Sequence, residues 1–315
     1  MTVSIVHATW GPWPSLRLAS PEVEIEVVGE IGARVVSLRD RRRGRQWLLQ
    51  GDAPTETEGM AWSIEGAAFW GRESFGWDEC LPTVSVCVDP TDRAGPPLRD
   101  HGDQWGRGTY HAVDADVGAV EHTWTVPRWP YRLSRRLSFR DPRTVVADYR
   151  IVNLARDMLS FLWSQHAVLG LEPGCRLDLP DVRSVVRTSQ HGIDLHEQTT
   201  WPMASLPGGT RIDLSCVHSG LGWAAKLYAQ PSGPIGVIAP DGARLVIDQD
   251  RAFAPALGIW LAYGGWPPDG GGFEQVALEP TTSPDDHLET ALASRRARTL
   301  GPHEECSWWV SMTLA

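Results

Sequence analysis

The residues best suited to acid–base chemistry lie in stretches that are dense in polar and aromatic side chains and do not alternate as a strand does. These stretches are 69–84, 99–107, 162–166 and 259–267, the last running on to 277–286. They contain His166 and Glu279, an imidazole and a carboxylate, which are side-chain types that commonly transfer protons in enzymes. We therefore take His166 and Glu279 as candidate catalytic residues.

Both candidates stand at the predicted ends of strands. His166 closes the segment 158–166, in which alternate residues share a face, and this would place it at the mouth of a sandwich. Glu279 closes an apolar strand, and Pro280 directly after it is expected to end sheet pairing. Burial there would raise the pKa of the carboxyl group toward that of a useful base. Each residue alone also has a simpler interpretation. His166 is then a hydrogen-bonded structural histidine, and Glu279 is a capped loop carboxylate.

Metal binding is the rival chemistry, because His101, His166 and several carboxylates could converge. The sequence has no HxH, HExxH or CxxC spacing that would support a metal site. Nucleophilic hydrolysis also lacks support, since there is no GxSxG motif. We therefore expect neither a metal nor another cofactor.

Strands must position these residues, because period-2 alternation recurs along the chain and helical periodicity is almost absent. Predicted strands are 23–28, 33–38, 131–139, 145–152, 158–166, 257–263, 275–279 and 306–314, with a Pro-Asp-Gly turn at 240–242 between two more. One short helix is predicted near 287–299. Strands without covering helices must pack sheet on sheet, so the sequence predicts an all-β, antiparallel β-sandwich forming one domain over residues 1–315.

Two arginine-rich segments are assigned to the surface. The segment 40–45 is interpreted as a solvated hairpin tip, with an anion site as the alternative. The arginines of 132–140 are interpreted as the outward face of a strand.

The bulk composition argues against several classes of partner. A net charge of −10 argues against nucleic acid, which requires a basic face. No apolar run approaches the roughly 18–20 residues that span a bilayer, and no secretory signal is visible, so no membrane partner is expected. Five cysteines form neither a disulfide framework nor a zinc motif, which favours a cytoplasmic location. Sixteen tryptophans exceed the needs of one core, and indoles suit a site for an amphipathic ligand such as a sugar.

Five motifs, in order, resemble those of the aldose 1-epimerase (galactose mutarotase-like) superfamily, and specifically of a divergent branch of it. They are GWDECLPTV at 76–84, DHGDQW at 100–105, WSQH at 163–166, YGGWP at 263–267 and LEPTT at 278–282. The resemblance covers roughly residues 20–314. It implies a large antiparallel β-supersandwich with an open carbohydrate cleft.

The resemblance also implies roles. His166 would be the general acid and Glu279 the general base of an enzyme that interconverts the α and β anomers of a sugar by ring opening. His101 would be a second histidine in contact with the substrate. Further substrate contacts would come from Arg72, Asp78, Glu79 and Trp105. The partner would be a small-molecule sugar, and the oligomeric state is left open.

The chain departs from the family pattern in three places. Ala167 follows His166 where the family has His-Pro-x-Phe, and the segment 71–79 replaces an Asn-Arg-Ile segment. The family's substrate-binding aspartate has only candidate counterparts, namely Asp178, Asp194 and Asp213. These departures leave the substrate open. They also leave two alternatives, a non-catalytic carbohydrate-binding protein on the same fold and a subdomain of a polysaccharide-processing enzyme.

Overall fold

Strands are the dominant secondary structure of the chain, as its alternating sequence predicts. The computed structural model describes residues 1–62, 69, 74–126, 128–268 and 272–315. The first twelve strands are β1 (Ser4–Trp10), β2 (Trp13–Ala19), β3 (Val23–Val28), β4 (Arg34–Asp40), β5 (Arg45–Gln46), β6 (Trp77–Cys80), β7 (Tyr110–Asp114), β8 (Ala119–Val126), β9 (Tyr131–Asp141), β10 (Thr144–Asn153), β11 (Leu159–Phe161) and β12 (Ser164–Leu169).

The second half of the chain continues in the same way. Its strands are β13 (Arg176–Asp178), β14 (Ser184–His191), β15 (Gln198–Thr200), β16 (Met203–Ser205), β17 (Arg211–Asp213), β18 (Trp223–Ala229), β19 (Ile235–Ile238), β20 (Arg244–Gln249), β21 (Ala256–Tyr263), β22 (Glu274–Thr281), β23 (Arg298–Leu300) and β24 (Glu305–Leu314). The described helices are short: α1 (Glu56–Trp62), α2 (Leu288–Ala293) and a 3₁₀ turn (Gly29–Ile31). None of the helices in the described ranges is long and apolar enough to cross a membrane.

Two large antiparallel sheets carry the fold. The twelve-stranded sheet has the order β1-β2-β3-β4-β6-β12-β22-β21-β18-β14-β15, with β5 beside β4. The eight-stranded sheet has the order β13-β19-β20-β24-β10-β9-β8-β7. Side chains from both sheets, such as Trp77 of β6 and Leu133 of β9, belong to one cluster of buried hydrophobic residues. The predicted all-β antiparallel sandwich is therefore confirmed, whereas the single domain stays a prediction.

The predicted strand 158–166 is wrong as one element. It divides into β11, which pairs with β23, and β12, which lies in the twelve-stranded sheet. The backbone N–H groups of Leu162 and Trp163 between them bond to the Pro82 carbonyl and the Thr282 hydroxyl, so the ladder is interrupted there. His166 is consequently an interior residue of β12 and does not end a strand.

Glu279 is also interior to its strand, since β22 continues through Pro280 to Thr281. Pro280 pairs with Leu257 of β21, contrary to the expected end of sheet pairing. On the other side of β22, Thr281 and Ala277 pair with β12, whereas the three residues between them, 278–280, do not. Pro280 has no N–H to donate, so the sheet tolerates it by opening the ladder toward β12.

The arginines of 132–140 do not all face solvent. Arg135 lies on the same face of β9 as Leu133 and Leu137, and its side chain is completely buried. Its guanidinium donates to Glu79 Oε1 at 2.9 Å, which joins the two sheets by a buried ion pair. Alternation counted from the apolar residues of the segment places Arg135 inward, and only the presence of a buried anion makes that position tolerable.

Candidate functional site

A cavity of about 340 Å³ lies on the face of the twelve-stranded sheet that is turned away from the eight-stranded sheet. Consecutive residues of β6 define the two faces. Glu79 bonds to Arg135 and Tyr149 of the eight-stranded sheet, whereas Asp78 bonds to His166, which lines the cavity. The volume is within the range of roughly 300–1,000 Å³ that is usual for small-molecule sites.

The floor of the cavity is a row of residues that cross-strand pairing brings side by side. His166 pairs with Asp78 on β6, and Glu279 pairs with Gly258 on β21. Between β12 and β22 the register is the same on both sides of the opened ladder, with Ser164 opposite Thr281 and Val168 opposite Ala277. This register sets His166 directly opposite Glu279. Residues opposite each other on neighbouring strands project from the same face, so both side chains face the cavity.

His166 is held from behind by a chain of buried charges. Its Nδ1 lies 2.8 Å from Asp78 Oδ1, and Asp78 Oδ2 accepts a hydrogen bond from Arg34 Nη2 at 2.7 Å. Burial opposes the charge on Asp78, but Arg34 and His166 outweigh it and lower the pKa of that carboxyl group. An ionised Asp78 accepts the Nδ1 proton of His166 and so leaves Nε2 for the cavity.

Glu279 is held in a similar way by a cation. Lys226 Nζ on β18 donates to Glu279 Oε2 at 2.5 Å, and both side chains are buried. Burial opposes the negative charge of Glu279, but Lys226 and, less strongly, His166 outweigh it and lower the pKa of the carboxyl group. Glu279 is therefore a carboxylate, the form that a general base requires. The expectation that burial would raise its pKa is wrong, because the charge of Lys226 outweighs the effect of burial.

His101 completes a cluster of aromatic rings over the floor. Its ring stacks on Phe69 with centroids 3.9 Å apart and meets the His166 ring edge-on at 4.6 Å. Its Nδ1 is 3.3 Å from Asp100; burial works against the charged form, but Asp100 outweighs it and raises the pKa of His101. Gly102 permits this placement, because a Cβ on it would lie 1.7 Å from the Leu81 carbonyl oxygen.

The walls of the cavity supply aromatic and polar groups. Trp260 and Trp266 meet edge-to-face at 5.9 Å, and both line the cavity. Tyr228 donates to Asp286 at 2.7 Å near Lys226. Hydroxyl, amide and imidazole groups come from the bulged strand β14, through Thr188, Ser189, Gln190 and His191. This combination suits a ligand with both apolar faces and many hydroxyl groups.

The structure separates the predicted site residues into two groups. His101, His166 and Glu279 converge on the cavity, and Asp78 supports His166 from behind. Glu79 and Trp105 do not reach it. Glu79 is in the core, where Arg135, Trp77, Tyr149 and Trp163 donate to it. Trp105 is fully buried beneath Phe69 and Arg99.

The remaining expected contacts are not placed at the cavity. Arg72 lies outside the described residues. Asp178, Asp194 and Asp213, the candidates for the family's aspartate, are absent from the described lining of the cavity. Within the described ranges, no cluster of three or more histidine, cysteine or acidic residues could hold a metal ion.

Sequence reasoning missed Lys226, although the signal was present. Lys226 is the only lysine of the chain, and it interrupts the apolar segment WAAKLYA. Arginine supplies the other 28 of the 29 basic residues. A single lysine in an apolar strand is a candidate for a special role, because a buried ammonium requires a partner.

The fold can be compared with known proteins. Neither a family model nor a curated protein matches the sequence. Among solved structures, a galactose mutarotase-like protein from Clostridium acetobutylicum is similar with a TM-score of 0.68 and 14% identity, covering 100% of this chain and 99% of that one. Galactose 1-epimerase from Lactobacillus acidophilus NCFM matches with a TM-score of 0.64 and 13% identity, covering 100% and 99%.

A galactose mutarotase-like protein from Lactobacillus casei gives a TM-score of 0.62 at 16% identity, with 99% of this chain and 100% of that chain covered. All three similarities extend over essentially the whole of both chains. At such low identity they establish the architecture, which agrees with the family that the motifs resemble. The chain therefore has the galactose mutarotase-like fold.

Proposed function

We propose that this protein is an aldose 1-epimerase-like isomerase that interconverts the α and β anomers of a sugar by acid–base catalysis. The observation that supports the proposal most directly is the placement of His166 opposite Glu279 on two neighbouring strands of the cavity floor. Each is fixed from behind by a buried charged side chain, Asp78 for His166 and Lys226 for Glu279.

The proposed reaction uses Glu279 Oε1 and His166 Nε2, the atoms that do not bond to Lys226 and Asp78. Glu279 removes the proton of the anomeric hydroxyl while His166 protonates the ring oxygen, and the C1–O5 bond breaks to give an aldehyde. Rotation about C1–C2 and closure with the proton transfers reversed give the other anomer. No cofactor enters this sequence.

The other lining residues would bind the sugar. The C–H faces of a pyranose fit the indoles of Trp260 and Trp266, and its hydroxyl groups require donors and acceptors such as His101 and Gln190. The partner that we propose is thus a small-molecule sugar whose identity is set by the polar groups of the walls.

The rate of anomer interconversion tests the proposal. A freshly dissolved pure anomer should equilibrate faster with the protein than without it, with a bell-shaped pH dependence, as followed by polarimetry or NMR.

His166→Asn should lower the catalysed rate by about 10²–10⁴-fold, because the amide cannot deliver a proton. His7→Asn, at an exposed histidine of β1 that is not part of the described lining of the cavity, is the control and should retain the rate. Equal effects of the two substitutions would contradict the assigned role of His166.

Sugar binding is expected to change the fluorescence of Trp260 and Trp266. Trp266→Phe should remove part of this change, because its indole lines the cavity, whereas Trp309→Phe on the eight-stranded sheet should not. A titration with neutral monosaccharides and sugar phosphates provides the measurement. Sugars that bind without any acceleration of their interconversion would identify the protein as a non-catalytic carbohydrate-binding protein.

A further inference from the structure

Lys226 occupies a special place in both the sequence and the cavity. It is the chain's only lysine, and it lies in the middle of a strand whose residues are all buried. Its ammonium group bonds to Glu279 Oε2 and is 5.6 Å from the centre of the Tyr228 ring. Lysine provides a compact point charge, whereas arginine presents a broad planar fork. The cavity therefore contains the chain's only lysine, whose head group is smaller than that of arginine.

The space for this ion pair depends on Gly258. Lys226 and Glu279 stand on strands β18 and β22, which are separated by β21, so the lysine must extend over the intervening strand. A Cβ on Gly258 would lie 3.1 Å from Glu279 Oε2 and 3.3 Å from Lys226 Nζ. The absence of a side chain at position 258 therefore allows the contact.

Several other groups surround Glu279, and among the described residues Lys226 is the cation that is hydrogen-bonded to it. The titratable groups that face it come from each neighbouring element: His166 on β12, Asp78 and Cys80 on β6, Tyr228 on β18, and His101 and Asp286 in loops. Asp286 and Tyr228 are hydrogen-bonded to each other. Among the described residues, only Lys226 donates a hydrogen bond to the Glu279 carboxylate, and it does so at Oε2.

We propose that Lys226 is a positioning residue for the base: it fixes the Glu279 carboxylate through Oε2, holds it ionised, and leaves Oε1 directed to the substrate. This inference deepens the proposed function and rests on it for the role of Oε1. Burial alone would favour the neutral acid, and the ammonium of Lys226 is the main influence that lowers the pKa of Glu279. Glu279 in turn raises the pKa of Lys226 against the effect of burial, so each charge maintains the other.

The ionisation of Glu279 can be measured without any assay of activity. In protein labelled with ¹³C-glutamate, the carboxyl signal of Glu279 is assigned by its loss in Glu279→Gln and then titrated. Lys226→Met keeps an unbranched side chain but removes the charge, and it should move the midpoint upward by about one pH unit or more. Lys226→Arg keeps the charge and should keep the midpoint low. An unchanged midpoint in Lys226→Met would overturn the inference.

The pH profile of anomer interconversion gives the second readout. The acid limb of Lys226→Met should move upward with the carboxyl titration, whereas a merely structural effect would lower the rate at every pH alike. Lys226→Arg should retain the acid limb of the wild type at a lower maximal rate, since its larger head group displaces the carboxylate. An acid limb that stays in place while the Glu279 midpoint moves would overturn the link between Lys226 and the base.

The carboxyl titration keeps the inference separate from the proposed function. If the wild type does not accelerate interconversion of any sugar but the Glu279 midpoint moves in Lys226→Met, the proposed function fails and the effect of Lys226 on Glu279 stands. If Lys226→Met does not fold, Gly258→Ala serves instead, because its Cβ crowds both Oε2 and Nζ without removing a charge. It should also raise the Glu279 midpoint, and an unchanged midpoint there would count against the inference.

Discussion

Replacing Glu279 by glutamine is expected to slow anomer interconversion by about 10²–10⁴-fold and to leave sugar affinity nearly unchanged. Glutamine has the same shape, but it cannot take a proton. Because Lys226 can only donate, the glutamine oxygen should turn toward it and the amide nitrogen toward the cavity. The substrate would then meet a donor where the reaction requires an acceptor.

The measurement is the rate constant for equilibration of a pure anomer, with the spontaneous rate subtracted, together with an independent binding titration. Asp286→Asn is a suitable control, since this carboxylate lines the same cavity but is bonded to Tyr228 at 2.7 Å. It should reduce the rate far less. A Glu279→Gln protein as fast as the wild type on every sugar that binds would exclude Glu279 as the base.

The architecture was largely predictable, because half-buried strands reveal themselves by alternation. Segments such as 23–28 and 145–152 have one consistently apolar face, and both form strands at those positions. The path of the chain between sheets was not predictable in the same way. The pattern of residues 158–166 predicts one continuous strand, yet Leu162 and Trp163 leave the ladder to bond with Pro82 and Thr282, which are distant in sequence. Such long-range partners leave no local signature.

The site was predictable from motif order and unpredictable in its detail. Asp78 and Glu79 are adjacent in one motif, and only the direction of β6 decides that Asp78 supports His166 while Glu79 enters the core. Alternation states that the two residues face opposite sides but not which side is the cavity. The composition was more informative, because the only lysine of the chain, Lys226, is the residue that bonds to Glu279.

The largest loss of stability is expected from Arg135→Met, at about 3–5 kcal/mol in the free energy of unfolding. The substitution keeps the apolar stem of the side chain but leaves Glu79 in the core without its cation. The indole groups of Trp77 and Trp163 and the hydroxyl of Tyr149 still donate to the carboxylate, but none of them carries a charge. Arg150→Met removes an exposed ion pair with Glu305 on the same sheet and should change the stability little.

The destabilisation by Arg135→Met should also depend on pH, because burial already raises the pKa of Glu79 to about 7 in the wild type. Without Arg135 this pKa rises further, so the folded variant binds a proton that the unfolded chain releases above about pH 4.3. Stability of the variant relative to wild type should therefore improve as the pH falls from 8 to 5. Adding Glu79→Gln should restore part of the loss at pH 8 and remove the gain in the variant's own stability between pH 8 and pH 5, as measured by urea unfolding at both pH values. If the loss in free energy of unfolding relative to wild type is the same at pH 5 and pH 8, the loss arises from packing and not from the unpaired charge of Glu79.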